Sequence, residues 1–207
     1  MPKMRPDRDR RSLYARVLGP ESAQLAPVLA RLHDSGERSL GGILKVRIAR
    51  GFITRLLLRL TGMPRAAQSA ACTVRILPCQ GGEKWHRCFD GRSLVSRQYA
   101  DDDRWIIERI GCLVIHLELQ VREDRLRFRS SITKFCGLRL PASLGIQVVA
   151  QERAMSPDTF HSDVRVRSPL LGPLLRYSGT LRLEERQPQG KPERLMINVI
   201  RENHVVR

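Results

Sequence analysis

Trp85, Arg87 and Phe89 alternate along one short extended segment, which sets an indole, a guanidinium and a phenyl ring on a single side of it. If that side faces inward, Arg87 is a buried cation that needs an acidic partner, and Glu108 or Glu152 can supply one. Such a pair is either a clasp that fixes strand register or the anion-binding end of a pocket. The clasp is the simpler expectation, because it needs no ligand. Other chemistry has less support. His33, His86, His116, His161 and His204 never stand at i,i+2 or i,i+4 from one another and have no carboxylate cluster beside them, so no metal-ligand spacing is present. His86, His116 and His161 fall opposite the apolar sides of their segments and are expected at the surface. The run Ala100-Asp-Asp-Asp103 reads as a solvated turn between strands rather than a cation site. There is no Gly-x-Ser-x-Gly elbow, no Gly-x-Gly-x-x-Gly loop and no phosphate-cradling glycine loop with a lysine. The sequence therefore names no catalytic residue, metal ligand or cofactor, and a non-enzymatic role is the expectation.

The elements that must position Trp85 and Arg87 are strands. From Glu83 to Glu184 apolar and polar residues alternate, most clearly over Leu113–Arg122, where Leu113, Ile115, Leu117, Leu119 and Val121 share one face and His116, Glu118, Gln120 and Arg122 the other. Period-two alternation means strands with one buried and one wet face. Candidate strands run over residues 72–77, 84–89, 93–99, 105–110, 113–122, 125–135, 146–152, 159–167 and 174–184. Gly81-Gly82 and Asp90-Gly91 are good tight-turn dipeptides, and Glu123-Asp124 a weaker one. Before this region, Ser12 is a plausible cap for a helix over Leu13–Leu18 that Gly19-Pro20 ends, and helical spacing of Leu25, Val28, Leu29 and Leu32 predicts a second helix from about Ser22 to His33. Leu44, Val46 and Ile48 read as a strand. A third helix is expected over Gly51–Leu60, with Phe52, Ile53, Leu56, Leu57 and Leu60 along one side. Arg50, Arg55 and Arg59 flank it and form a candidate surface for anionic membrane or another polyanion, though such a stripe more often packs on a sheet with its arginines in water.

The chain has 207 residues and a net charge of +16, enough length for one domain with a real core. The basic segments Met1–Arg11 and Arg186–Arg207 carry +3 each, so most of the excess lies on the folded body. A surface of this sign attracts polyanions, nucleic acid or anionic lipid through long-range, salt-sensitive fields, although no nucleic-acid motif accompanies it. Residues 1–11 are expected to be a disordered basic arm, 12–185 one domain, and 186–207 a linker-like tail with a possible edge strand at Leu195–Ile200. No apolar run is long enough to span a bilayer, no signal core follows the N-terminus, and the odd set of five cysteines has no Cys-x-x-Cys pair, which fits a reduced cytoplasm.

Ser12-Leu-Tyr-Ala-Arg-Val-Leu-Gly, Trp85-x-Arg-x-Phe89 with Gly91 and Ser96, Glu108-Arg-Ile-Gly111, Leu138-Arg-Leu-Pro141, Phe160, and Pro169-Leu-Leu-Gly-Pro-Leu-Leu-Arg-Tyr-Ser-Gly179 form a pattern. Together these segments resemble a bacterial family, domain of unknown function family 4166. It covers about residues 12–184. Members of that family also occur appended to saccharopine-dehydrogenase-like nucleotide-binding domains, which implies a possible oxidoreductase-like partner protein but no reaction. Among the shared positions, Trp85, Arg87 and Tyr177 are those whose side chains can do more than pack. The expected architecture is α+β: a strongly curved antiparallel sheet or incomplete barrel with the N-terminal helices packed on its open side. Curved sheets leave an apolar cleft at the mouth, so the leading expectation is non-catalytic binding of an apolar or amphipathic, lipid-like small molecule, with Trp85, Arg87 and Tyr177 bordering one concave space. The alternatives are polyanion binding by the arginine-rich surface and an enzyme built around Arg87.

Overall fold

The computed structural model describes residues 11–51, 65–101 and 104–184. The expected helix with Arg55 and Arg59, the acids Asp102 and Asp103, and the tail strand lie outside the described residues. Strands β1 (Arg38–Ile48), β2 (Ala67–Cys79), β3 (Gly82–Phe89), β4 (Arg92–Asp101), β5 (Trp105–Ile110), β6 (Leu113–Arg122), β7 (Arg125–Phe135), β8 (Leu138–Arg139), β9 (Gln147–Ala154), β10 (Thr159–Ser168) and β11 (Gly172–Glu184) follow the alternating pattern closely. All pair antiparallel in one sheet, and the pairing of β6 with β7 closes it: ten strands form a barrel, while the two-residue β8 hangs on the end of β7. The sheet is therefore a closed barrel, where the alternation allowed an incomplete one. Closure buries the apolar face of every strand against the others and leaves no exposed edge.

β1 is longer than its apolar alternation suggested, and its pairing with β11 from Ser39 opposite Glu184 to Ile48 opposite Leu175 forms part of the ring. Two glycines permit this seam. Gly42 faces Leu181 and Gly179 faces Leu44, and a Cβ on either would run into the backbone of the opposite strand. The hairpins close with turns whose central residues are both left-handed: Asp90-Gly91, Cys136-Gly137 and Glu123-Asp124. That geometry matches strand twist and favours Asn-Gly. Glu123 and Asp124 adopt it at φ 49° and 60° without a glycine, so this turn is strained.

The fold is α+β with the N-terminal helices packed on the sheet, as expected; because the sheet is closed, they sit at one end of the barrel and plug it. Ser12 Oγ accepts a hydrogen bond from the Ala15 amide at 3.2 Å and starts α1 (Leu13–Leu18). The single helix expected over Ser22–His33 is instead a 3-10 turn, Gly19–Gln24, and a short α2, Pro27–Leu32. Proline accounts for the split. It can open a helix but disfavours the helical region for the residue before it, and Ala26 is extended at ψ 146°. Leu13, Tyr14, Leu18, Val28, Leu29 and Leu32 are buried in the main core. The same end carries the β2–β3, β4–β5, β6–β7 and β9–β10 turns; the opposite end carries the remaining ones.

In β6, Ile115 and Leu117 are buried and Leu119 is half-buried against the core. His116 corrects the sequence reading. It lies on the outer face, as its parity requires, yet it is buried, with its ring edge-on to Trp105 at 6.4 Å. Alternation tells which side a residue takes, not what covers that side. Burial first, then the nearby Lys134, holds the His116 imidazole below its ordinary pKa. On β7 the outer face is charged: Arg125, Arg127 and Arg129 alternate with the inward Leu126 and Phe128. A membrane-spanning barrel has the reverse arrangement, apolar outward. Among the described residues no helix is long and apolar enough to cross a membrane.

Two stability measurements test this fold. In denaturant titrations Leu117→Ala should cost ~2–5 kcal/mol as a core deletion; a cost near zero would contradict the placement of that face. Replacing Glu123-Asp124 by Asn-Gly should stabilise by about 1 kcal/mol, because the left-handed turn then fits its residues.

Candidate ligand-binding cavity

The inward residues do not fill the barrel. A cavity of about 480 Å³ runs from beneath Tyr14 and Leu32 at the plugged end to Phe135, Leu144 and Leu170 at the other. Its wall is mainly leucine, isoleucine, valine and phenylalanine, interrupted by a small set of polar groups. Trp85, Arg87 and Tyr177 all line it.

Strand register brings the polar groups together. Trp85 stands opposite Ser96, and Gln98 opposite Glu108, so Arg87, Ser96 and Glu108 come from the consecutive strands β3, β4 and β5 and share the inner face. Arg87 Nη1 donates to Ser96 Oγ at 2.7 Å, and the Ser96 hydroxyl donates to Glu108 Oε1 at 2.7 Å. Arg87 Nη2 lies 3.2 Å from the same Glu108 oxygen, and the guanidinium sits 4.8 Å from the Trp85 ring centre. Burial is the largest single influence on the Arg87 cation and works against it, but the Glu108 charge, Tyr177, Tyr14 and the Glu108 hydrogen bond together outweigh it, and the pKa is raised. Across the cavity on β11, Tyr177 meets Phe89 edge-on at 5.7 Å. Burial pushes its phenol up to about 12 although Arg87 pulls the other way, so Tyr177 is a neutral hydroxyl at physiological pH.

A second polar layer ties down the helical plug. Tyr14 OH donates to Gln98 Oε1 at 2.7 Å, and its ring stacks on His33 at 3.8 Å. His33 Nε2 is 2.6 Å from Glu152 Oε2. Beside them Arg38 Nη2 bonds Glu83 Oε1 at 2.5 Å, and Trp85 Nε1 donates to the other Glu83 oxygen at 3.1 Å. Burial, reinforced by Glu83, Glu152 and Glu108, raises the Tyr14 pKa well above its ordinary value. Sequence reading missed this layer. The period-two run of Trp85, Arg87 and Phe89 extends back one step to Glu83, and that was its available signal. His33 and Glu152 are 119 residues apart and had none.

Arg87 is thus both locked to an internal carboxylate and set in a cavity wall, so clasp and pocket coexist. Glu108 is the carboxylate it takes, while Glu152 belongs to His33. An incoming anion would have to compete with Glu108. The bound network suits orienting a neutral polar group more than neutralising a charged one. Arg50 lies outside this cavity, exposed just beyond β1, and Arg55 and Arg59 lie outside the described residues. No group of three or more His, Cys, Asp or Glu among the described residues is placed to hold a metal ion.

Because Arg87 and Glu108 are paired and largely buried, Arg87→Met alone should destabilise by ~3–5 kcal/mol, leaving Glu108 as an uncompensated charge. Arg87→Met with Glu108→Met should recover most of that loss in the same denaturant assay, which separates the clasp from any effect on ligand retention.

Comparison with known proteins adds little beyond the family. A protein with unknown function from the DUF3598 family of Nostoc punctiforme shares 12% identity at a TM-score of 0.34; the match covers 71% of this chain and 46% of that one, so this chain spans less than half that protein's length. No curated protein matches the chain. The model of the family described as Domain of unknown function (DUF4166) matches residues 25–181, from just before α2 through most of β11. With that match over more than half its length, the chain belongs to the DUF4166 family.

Proposed function

We propose that the protein binds an apolar or weakly polar, lipid-like small molecule inside the barrel without transforming it. One observation carries this reading: a cavity of about 480 Å³ with apolar walls and a few internally bonded polar groups. Protein interiors are close-packed, and a void this large forfeits dispersion contacts that an occupant would restore. Its size falls within the range of small-molecule sites, roughly 300–1,000 Å³. The apolar body would lie between the mouth leucines and Leu44, Leu113 and Leu175. A hydroxyl or carbonyl on the ligand would meet the Arg87–Ser96–Glu108 layer and the Tyr177 phenol. Specificity would come from that layer and affinity from the walls, at ~0.8 kcal/mol for each methylene removed from water before association costs.

Organic extracts of the purified protein, analysed by mass spectrometry, should contain a retained lipid-like molecule, and a fluorescent naphthylamine probe should bind the emptied barrel. Ala150→Phe projects a ring from β9 into the cavity and should weaken probe binding by about tenfold or more, through loss of the volume the ligand needs, without lowering the melting temperature. A wild-type barrel that retains nothing and binds no probe would rule the reading out.

A further inference from the structure

The two ends of the barrel differ in charge and in apolar exposure. The plugged end carries Asp34, Glu37, Asp101, Glu123, Asp124 and Asp158 at or beside its turns, interleaved with Arg31, Arg104, Arg122, Arg125 and Arg153, so acids and bases stand in similar number there. At the mouth, the described turns hold one acid, Asp90, and its carboxylate already accepts the Ala71 amide at 2.8 Å. Against it stand the exposed Arg50, Arg65 and Arg139. Arg47 and Arg167, next to last in β1 and β10, are exposed at the same end. The same rim exposes large apolar side chains: Leu138 at 74%, Leu170 at 67%, Leu144 at 50% and Phe135 at 43%. Leu144, Leu170 and Phe135 also line the cavity, so the apolar interior continues outward onto the rim.

Several large apolar side chains facing water at one end mark a surface that binds something. Apolar side chains ringed by arginine match a lipid interface bearing anionic head groups, where the leucines leave water and the guanidiniums meet phosphate. A nucleic acid would use the arginines but would find leucines where it needs aromatic stacking platforms. We propose that the mouth end of the barrel docks on an anionic bilayer, with Leu138, Leu144 and Leu170 in the interface, so that the cavity opens toward the membrane. This rests on the cavity being a site for an apolar ligand, which would then exchange with the bilayer without crossing water.

The test is flotation of the full chain with phosphatidylcholine vesicles that contain or lack phosphatidylglycerol. Binding should require phosphatidylglycerol and weaken in high salt. Leu138→Ser with Leu170→Ser, and separately Arg50→Glu with Arg139→Glu, should each reduce it by about tenfold or more. Arg122→Glu with Arg153→Glu, the same charge change toward the plugged end, should leave it unchanged. All variants should keep the wild-type melting temperature. Three results would overturn the docking: no flotation, equal loss in the plugged-end variant, or binding that an RNA oligonucleotide abolishes while the leucine variants bind as wild type. Naphthylamine binding in vesicle-free solution separates the two proposals. Flotation by a barrel that binds no probe would uphold docking and remove the cavity reading, whereas probe binding without flotation would remove docking alone.

Discussion

Everything in this molecule depends on the sheet closing on itself. A flat sheet with these strands would leave one face of leucine, isoleucine and phenylalanine in water; curling removes that face and both edges at once. The ring includes the pairing of the first strand with the last, β1 with β11, and of β6 with β7. At the β1–β11 seam, Gly42 and Gly179 leave space that any side chain would fill with a clash against backbone. The partners in this seam lie at opposite ends of the domain's sequence, so the ring forms only after much of the chain is ordered, and such non-local closure is slow.

Closure then places charges where water is scarce. Arg38 with Glu83 and Arg87 with Glu108 are buried or nearly so, and His33 bonds Glu152 beside them. Pairs of this sort contribute little net stability, because desolvation offsets most of the attraction, but losing one partner is expensive. Their effect is therefore on specificity. Each joins elements that apolar packing alone would leave free to slide: β1 to β3, β3 to β5, and α2's end to β9. The helical plug is seated by directional bonds from Tyr14 and His33 as well as by its leucines.

These constraints leave the barrel unequal along its axis. Near the plug the cavity is bordered by the bonded polar groups; toward the mouth its walls are apolar. Its charges are unequal in the same sense: acids and arginines are mixed at the plug, whereas the arginines of the mouth stand almost without acids. The two proposals, an apolar ligand in the barrel and docking at the rim, both rest on that single polarity, and the pairing of Arg87 with Glu108 favours neutral polar groups over anions beside it.

Strands β3 to β7 and β9 to β11 are legible in the sequence nearly residue by residue, because alternation is a local consequence of having one buried face. The inward side of Trp85, Arg87 and Phe89 was legible for the same reason, as was an acidic partner for Arg87. Which acid it takes was not: Glu108 and Glu152 both face inward, and only strand order puts Glu108 two strands from β3 while Glu152 lies across the barrel. The proline that divides the second helix was visible, but its effect competed with a convincing leucine spacing. The burial of His116 depends on what packs over an outer face. By itself, then, the sequence determined the strands, their inward residues and the excess of arginine, all set by neighbours within a few positions. Closure, the helical plug, the cavity and the gathering of arginines and leucines at one rim were decided by tertiary structure alone, because each arises from residues far apart in the chain that meet only when the sheet curls shut.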